Sequence, residues 1–549
     1  MGLGAIRLVI IVSAVLSKVS GRPTPMPREY RDAATSQGAV RGYLTPDPPH
    51  YAYFGIPYAR SPTRRDRFKA PKPPPEWDGI FEATHKIKCP QRNADGEENC
   101  QVVNVFVPEQ GTSLPILVFV HDGDLQNGWG AYQPLTMFLN EGFVSVTFNY
   151  RIGALGFLCL NIPDAPGNAG LKDLIAALYW VHRNIEEFSG NPHDVTVYAT
   201  GAGAVLVQLA LLTGLVKGLL HKVILESGSA LSPSSMTYDP ISVGYNGAKS
   251  LEYEGTDDPE ELYNFYVDIS ANDLANIPEV FLPCVDDNSG SIHSLLDTDP
   301  MQKLKEGNFH KVPMLISFTY KDIISIVSRD TERFGYPPEN FEYLLPNNLE
   351  FYNQSIKQQV GDIVKEFYFS ADFTTTNIPQ SYTDYIHDTL TVYPIMKIVM
   401  LFAARNTYPV YIMEFNVPQE SETSREEGET SSVDTVLDYF YKYNDLDGNI
   451  HLEKLMTLWR NFIKLGDPTP LTTTLIPLIW QPVPMDNENI KISEIPVLNY
   501  DMKLKMSVHP SNQRLLFWNN IYNKFYKLHT QQEEDNKELD DDDDDNDDD

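Results

Sequence analysis

Residues 194–212, DVTVYATGAGAVLVQLALL, constrain the fold more than any other stretch of this chain. The β-branched run Val195, Thr196, Val197 reads as a buried strand, small residues follow it, and an apolar helix begins at once. A direct turn from strand to helix needs a tip residue at positive φ with small neighbours two positions away. This is the setting of the G-x-S-x-G motif, in which a serine at the tip is presented as a nucleophile. Here those positions read Ala199-Thr200-Gly201-Ala202-Gly203, so the shape of the turn is kept and the hydroxyl is missing. Glycine reaches positive φ without steric cost, and the strain that would present a serine is absent. Taken alone, such a turn also suits an ordinary strand-to-helix junction.

Other runs extend the pattern. Residues 114–120 (LPILVFV) and 143–148 (FVSVTF) read as buried strands, and residues 171–184 read as a helix. Alternating strands and helices predict an α/β fold, a large and mostly parallel central sheet flanked by helices. No composition break interrupts residues 35–528, which are expected to form one domain with a core drawn from the 42% hydrophobic residues. Residues 1–21 read as a secretory signal: Arg7 precedes an apolar run at 8–16, and the small Ser20 and Gly21 follow. That run is too short to span a bilayer, which takes about 20 apolar residues, and no later segment stands out as long enough. Residues 22–34 form a Pro-rich lead expected to be extended. Residues 418–434 read as an acidic solvated loop, and 529–549 as a self-repelling, disordered acidic tail.

Acidic residues outnumber basic ones 75 to 43, for a net charge of −32. This disfavours nucleic acid and anionic membrane surfaces as partners and suits cationic ones. Cys89, Cys100, Cys159 and Cys284 fit two disulfides in an oxidising compartment, with three pairings open. Asn353-Gln354-Ser355 is a glycosylation sequon.

Several motifs together carry a specific resemblance. Residues 53–60 (YFGIPYAR), 67–75 (RFKAPKPPP) with Trp77, 99–108 (NCQVVNVFVP), 149–157 (NYRIGALGF), 166–173 (PGNAGLKD), 188–195 (FSGNPHDV) and 226–229 (ESGS) resemble the type-B carboxylesterase and cholinesterase family. So do Gly466-Asp467-Pro468 and residues 514–518. The resemblance implies an α/β-hydrolase fold with a deep gorge above the elbow. Carried over residue by residue, the family's nucleophile falls on Gly201 and its triad acid on Asp322, within residues 317–323 (SFTYKDI). Its histidine falls on Val433, or on Ser432 if the register shifts by one, and no histidine occurs between His387 and His451. The oxyanion-hole pattern H-G-G-G matches His121-Asp122-Gly123-Asp124, completed by Ala202 beside the elbow. Each oxyanion donor contributes roughly 3 kcal/mol to such catalysis, and the carboxylates of Asp122 and Asp124 are expected to crowd that site and repel a developing negative charge.

These losses imply a catalytically degenerate member that does not hydrolyse esters by this mechanism. An acidic, secreted chain of this kind is similar to glutactin-type proteins of basement membranes, which implies extracellular protein binding or adhesion. Two alternatives stand beside it: a small apolar ligand held in the former gorge, and an ester hydrolase with displaced catalytic residues. The Thr200 hydroxyl is expected on another face of the turn. His121 with Asp122 and Asp124 has no second histidine or cysteine at ligand spacing, so no metal is expected there, and no cofactor is implied. The resemblance also implies a Cys89–Cys100 disulfide, which leaves Cys159 for Cys284. The segment between Cys89 and Cys100 is short and carries no aromatic residue, so acetylcholine recognition is not expected.

Overall fold

Strands with apolar side chains on both faces can exist only between two covering layers, and this chain builds such a sheet. The computed structural model describes residues 29–60, 62–92, 96–132, 136–286, 295–319, 341–369, 378–416, 446–485, 490–501, 503–509 and 511–527. Its strands are β1 (Tyr30–Thr35), β2 (Gly38–Pro46), β3 (Pro49–Pro57), β4 (Ile80–Glu82), β5 (Val102–Pro108), β6 (Leu114–Val120) and β7 (Val144–Phe148). They continue with β8 (Cys159–Ile162), β9 (Ala165–Pro166), β10 (Gly190–Thr200), β11 (Lys222–Glu226), β12 (Met314–Thr319), β13 (Val410–Phe415), β14 (Pro496–Tyr500) and β15 (Leu504–Val508). A 13-stranded sheet runs β1-β2-β3-β5-β7-β6-β10-β11-β12-β13-β14-β15, with β4 beside β2, while β8 and β9 pair separately. From β7 to β14 every neighbouring pair is parallel, and antiparallel strands close both ends. This is the expected α/β-hydrolase architecture.

The central strands bury both faces. Val118, Val197, Leu225 and Ile316 pack on one side with residues of the helices Ala169–Asn184, Gly201–Leu212 and Tyr393–Arg405. Phe119, Tyr198, Ile224 and Leu315 pack on the other, under Leu455, Trp459 and Phe462 of the helix Leu446–Leu465. Within this core Arg151 grips Asp173 through two bonds of 2.7 Å, and Gln101 adds a third at 2.6 Å. The disulfides are Cys89–Cys100 and Cys159–Cys284, with Cα separations of 5.0 and 6.7 Å, the pairing that the resemblance implied.

Two expectations need amendment. The sheet already begins at Tyr30, which pairs with Tyr43, so the last residues of the supposed lead at 22–34 form an edge strand. Among the described residues one stretch, Gln380–Arg405, is apolar enough and long enough to cross a membrane, although no later span was expected. Of its apolar window 83% is buried, with Ile395, Ile398 and Val399 inside the core, which explains its composition by packing. The signal at 1–21, the loop at 418–434 and the tail at 529–549 lie outside the described residues.

Candidate functional site

The edge of the sheet at the C-terminal ends of its parallel strands holds the turn singled out above. β10 ends at Thr200, and the helix Gly201–Leu212 starts in the next residue. Gly201 has φ +49°, the left-handed conformation that glycine adopts freely. β6 lies beside β10 in parallel, with Val120 opposite Ala199, so the residues that follow β6 meet the turn. Asp122 is carried there by this register. Its carboxylate sits over Gly201 so closely that a β-carbon at 201 would lie 2.1 Å from Oδ2.

The same carboxylate takes up the backbone donors of the turn. Ala202 N–H donates to Asp122 Oδ1 at 2.8 Å and Asp124 N–H to the same oxygen at 3.4 Å, while Gly123 N–H supports the carboxylate as well. Gly123, Asp124 and Ala202 are positions that the resemblance assigns to the oxyanion hole. A chain carboxylate therefore takes up the N–H donors of the positions that the resemblance assigns to the hole. Burial, and then the charge of Asp124, raise the Asp122 pKa to about 6, while the three N–H donors hold it from rising further. Above that pH the site already carries a negative charge, and a second one developing beside it is opposed rather than stabilised.

The structure separates the two aspartates that sequence treated alike. The Asp122 carboxylate lies over Gly201, whereas Asp124 is exposed and affects the turn through its charge. His121 stacks on Tyr150 at 4.4 Å between ring centroids and points Nδ1 at the carbonyl of Asp122, a packing role. Thr200 is buried, and its hydroxyl has no hydrogen-bond partner among the described residues. Strand alternation places Thr200 on the face of Tyr198, whose hydroxyl donates to Glu226 at 2.8 Å. Asp322, Val433 and Ser432 lie outside the described residues. Asn353 is exposed, and its Oδ1 accepts from Ile356 N–H at the start of the helix Gln354–Phe369.

One pair was not foreseen. Glu414, buried near the end of β13, faces His509 Nε2 at 3.5 Å, and His387 is buried within reach of the Glu414 charge. Burial raises the Glu414 pKa, but His509 pulls it below its ordinary value, and burial pushes His387 down to about 4. The sequence signal was a lone carboxylate in the apolar strand YIMEF. Following the register Thr200↔Glu226, Glu226↔Ser317 and Phe318↔Glu414, three strand spacings separate this pair from the turn. That is about 14 Å between the backbones of Glu414 and Thr200. Among the described residues no cluster of three or more histidine, cysteine or acidic side chains could hold a metal ion.

Comparison with known proteins places this geometry in context. Residues 30–518 match the Carboxylesterase family. Juvenile hormone esterase of Heliothis virescens is 29% identical over 469 residues, covering 76% of this chain and 82% of that protein. Neuroligin-3 of Mus musculus is 26% identical over 591 residues, covering 90% of this chain and 69% of that protein. Among solved structures, juvenile hormone esterase from Manduca sexta, with OTFP covalently attached, superposes with a TM-score of 0.71 at 24% identity, covering 90% of this chain and 100% of that one. That last likeness concerns the fold.

Proposed function

The chain belongs to the carboxylesterase family, and on that premise we propose that it is a member that does not hydrolyse esters at its elbow and acts by binding other proteins outside the cell. One observation carries the first half: the Asp122 carboxylate lies in the N–H cradle above Gly201, where both a nucleophile and an oxyanion would have to fit. Nucleophile, base and oxyanion hole act as a unit, and the loss of one leaves little for the others to do. Two disulfides and the signal-like start of the chain support an extracellular place. The resemblance to glutactin-type proteins supports adhesion or matrix binding, and the charge of −32 supports cationic partners. The purified full chain should show no turnover of p-nitrophenyl acetate or butyrate above buffer, and should capture partners from a panel of extracellular proteins in a salt-sensitive way. Turnover removes the first half of the reading, and an empty panel at low salt removes the second.

A second reading is hydrolysis by displaced residues. The names of the relatives favour it, since Juvenile hormone esterase, Esterase E4 and Acylcarnitine hydrolase all match over most of this chain. It requires a nucleophile other than position 201, and the same turnover assay decides between the two.

A further inference from the structure

Residues 60–72, RSPTRRDRFKAPK, hold six basic residues and one acidic residue in a chain whose overall charge is −32. The two ends of this stretch are tied together: Arg60 N–H donates to Lys72 O at 3.0 Å and Lys72 N–H to Arg60 O at 3.3 Å. Between them the 3₁₀ turn Arg64–Asp66 projects its residues outward. The six cations divide into two sets. Arg67 is buried, forks onto Glu98 with two bonds of 2.9 Å, and also donates to the carbonyls of Val267 and Ile269. Lys69 pairs with Asp66 and Asp164, and Lys72 with Asp66. These three hold the loop in place. Arg60, Arg64 and Arg65 are exposed, and none forms an ion pair among the described residues.

The backbone adds a second observation. Arg64 has φ +54°, a conformation that glycine or asparagine would take at lower cost. Helix Pro259–Asp268 buttresses the turn through Tyr263, whose hydroxyl donates to the Arg65 carbonyl at 2.6 Å. A long cation thus stands where local conformation argues against it, on a turn that its neighbours contact through Tyr263, Asp66 and Asp164.

We infer that this loop is a binding site for a sulfated polysaccharide, with Arg60, Arg64 and Arg65 as its sulfate contacts. The guanidinium fork suits planar, bidentate recognition of sulfate oxygens. Charges beyond about 8 Å are screened at physiological salt, so a slender chain lying on the loop feels its local charge rather than the acidic whole. An anionic membrane is a plane and brings the acidic remainder of the surface within that range. Single-stranded nucleic acid needs exposed rings for its bases, and Phe68, the one aromatic residue of the loop, is 1% exposed. This surface is separate from the elbow, and the inference stands whether or not the chain hydrolyses esters.

The test measures binding of the full, disulfide-intact chain to a heparin octasaccharide at 50 and 200 mM salt. Release of counterions from three contacts should weaken binding about 20-fold between the two. The triple variant Arg60→Ser, Arg64→Gly, Arg65→Ser should bind at least 10-fold more weakly with an undiminished Tm, because glycine relieves the strain at 64. The variant Lys217→Ser, Lys311→Ser, which alters a separate lysine-lined cavity of about 720 Å³ at the far end of the elbow helix, should bind as wild type does. No binding at 50 mM, equal binding by the triple variant, or equal binding of de-sulfated heparin overturns the inference. Binding to phosphatidylserine vesicles or oligouridylate as tight as to heparin overturns it in favour of those ligands.

Discussion

Placing a single β-carbon at position 201 should test the self-filled turn most sharply. The change Gly201→Ala adds no chemistry, only one methyl group. At φ +49° that residue costs about 1–2 kcal/mol relative to glycine. The methyl carbon would also lie 2.1 Å from Asp122 Oδ2 and 2.2 Å from its carboxyl carbon, so the carboxylate must leave its cradle. That forfeits the charge-assisted bond from Ala202, worth about 1.5–3 kcal/mol. The single variant should therefore lose about 2.5–5 kcal/mol, measured by urea unfolding followed through tryptophan fluorescence. In the Asp122→Gly background only the backbone cost remains, about 1–2 kcal/mol. The double-mutant cycle should show a coupling of about 1.5–3 kcal/mol between positions 122 and 201. A loss below 1 kcal/mol in the single variant, or a cycle additive within about 0.5 kcal/mol, would refute the argument that the carboxylate fills the turn.

Further outcomes follow from the same geometry. Asp122 binds its proton more tightly in the folded chain, about 6 against 3.8, so its contribution to stability is lost as pH rises through that window. Asp122→Gly should thus gain in Tm relative to wild type more at pH 7.5 than at pH 5, and the reverse ordering contradicts the shift. Arg151→Ala leaves Asp173 charged and buried, and should cost about 3–5 kcal/mol in urea unfolding. Gly201→Ser alone should leave p-nitrophenyl acetate untouched, since the serine meets the Asp122 carboxylate; brisk turnover would show that a base and a hole are present after all.

The sheet was legible because buried strands such as β6 and β7 are short apolar runs bounded by polar residues, and because the turn at 199–203 fixes how β10 meets its helix. That a glycine stands at the tip of this turn, at φ +49°, was legible for the same reason. What Asp122 does was not. The sequence showed an acid where a glycine was expected, but only the parallel register of β6 and β10 shows that its carboxylate reaches across to Ala202 while that of Asp124 turns outward. The Glu414–His509 pair was hidden because it joins residues far apart in the chain through sheet pairing, which no local spacing encodes. The edge strand Tyr30–Thr35 was missed because proline density nearby outweighed its weak alternation.

The most direct measurement of the central claim is the intact mass of the purified wild-type chain after prolonged exposure to a fluorophosphonate probe. Such a probe needs an activated serine and a free oxyanion hole, and here Gly201 supplies no hydroxyl while Asp122 holds the donors. The mass should remain that of the untreated chain. A stoichiometric single adduct would contradict the account, and the labelled residue would identify the nucleophile that it denies.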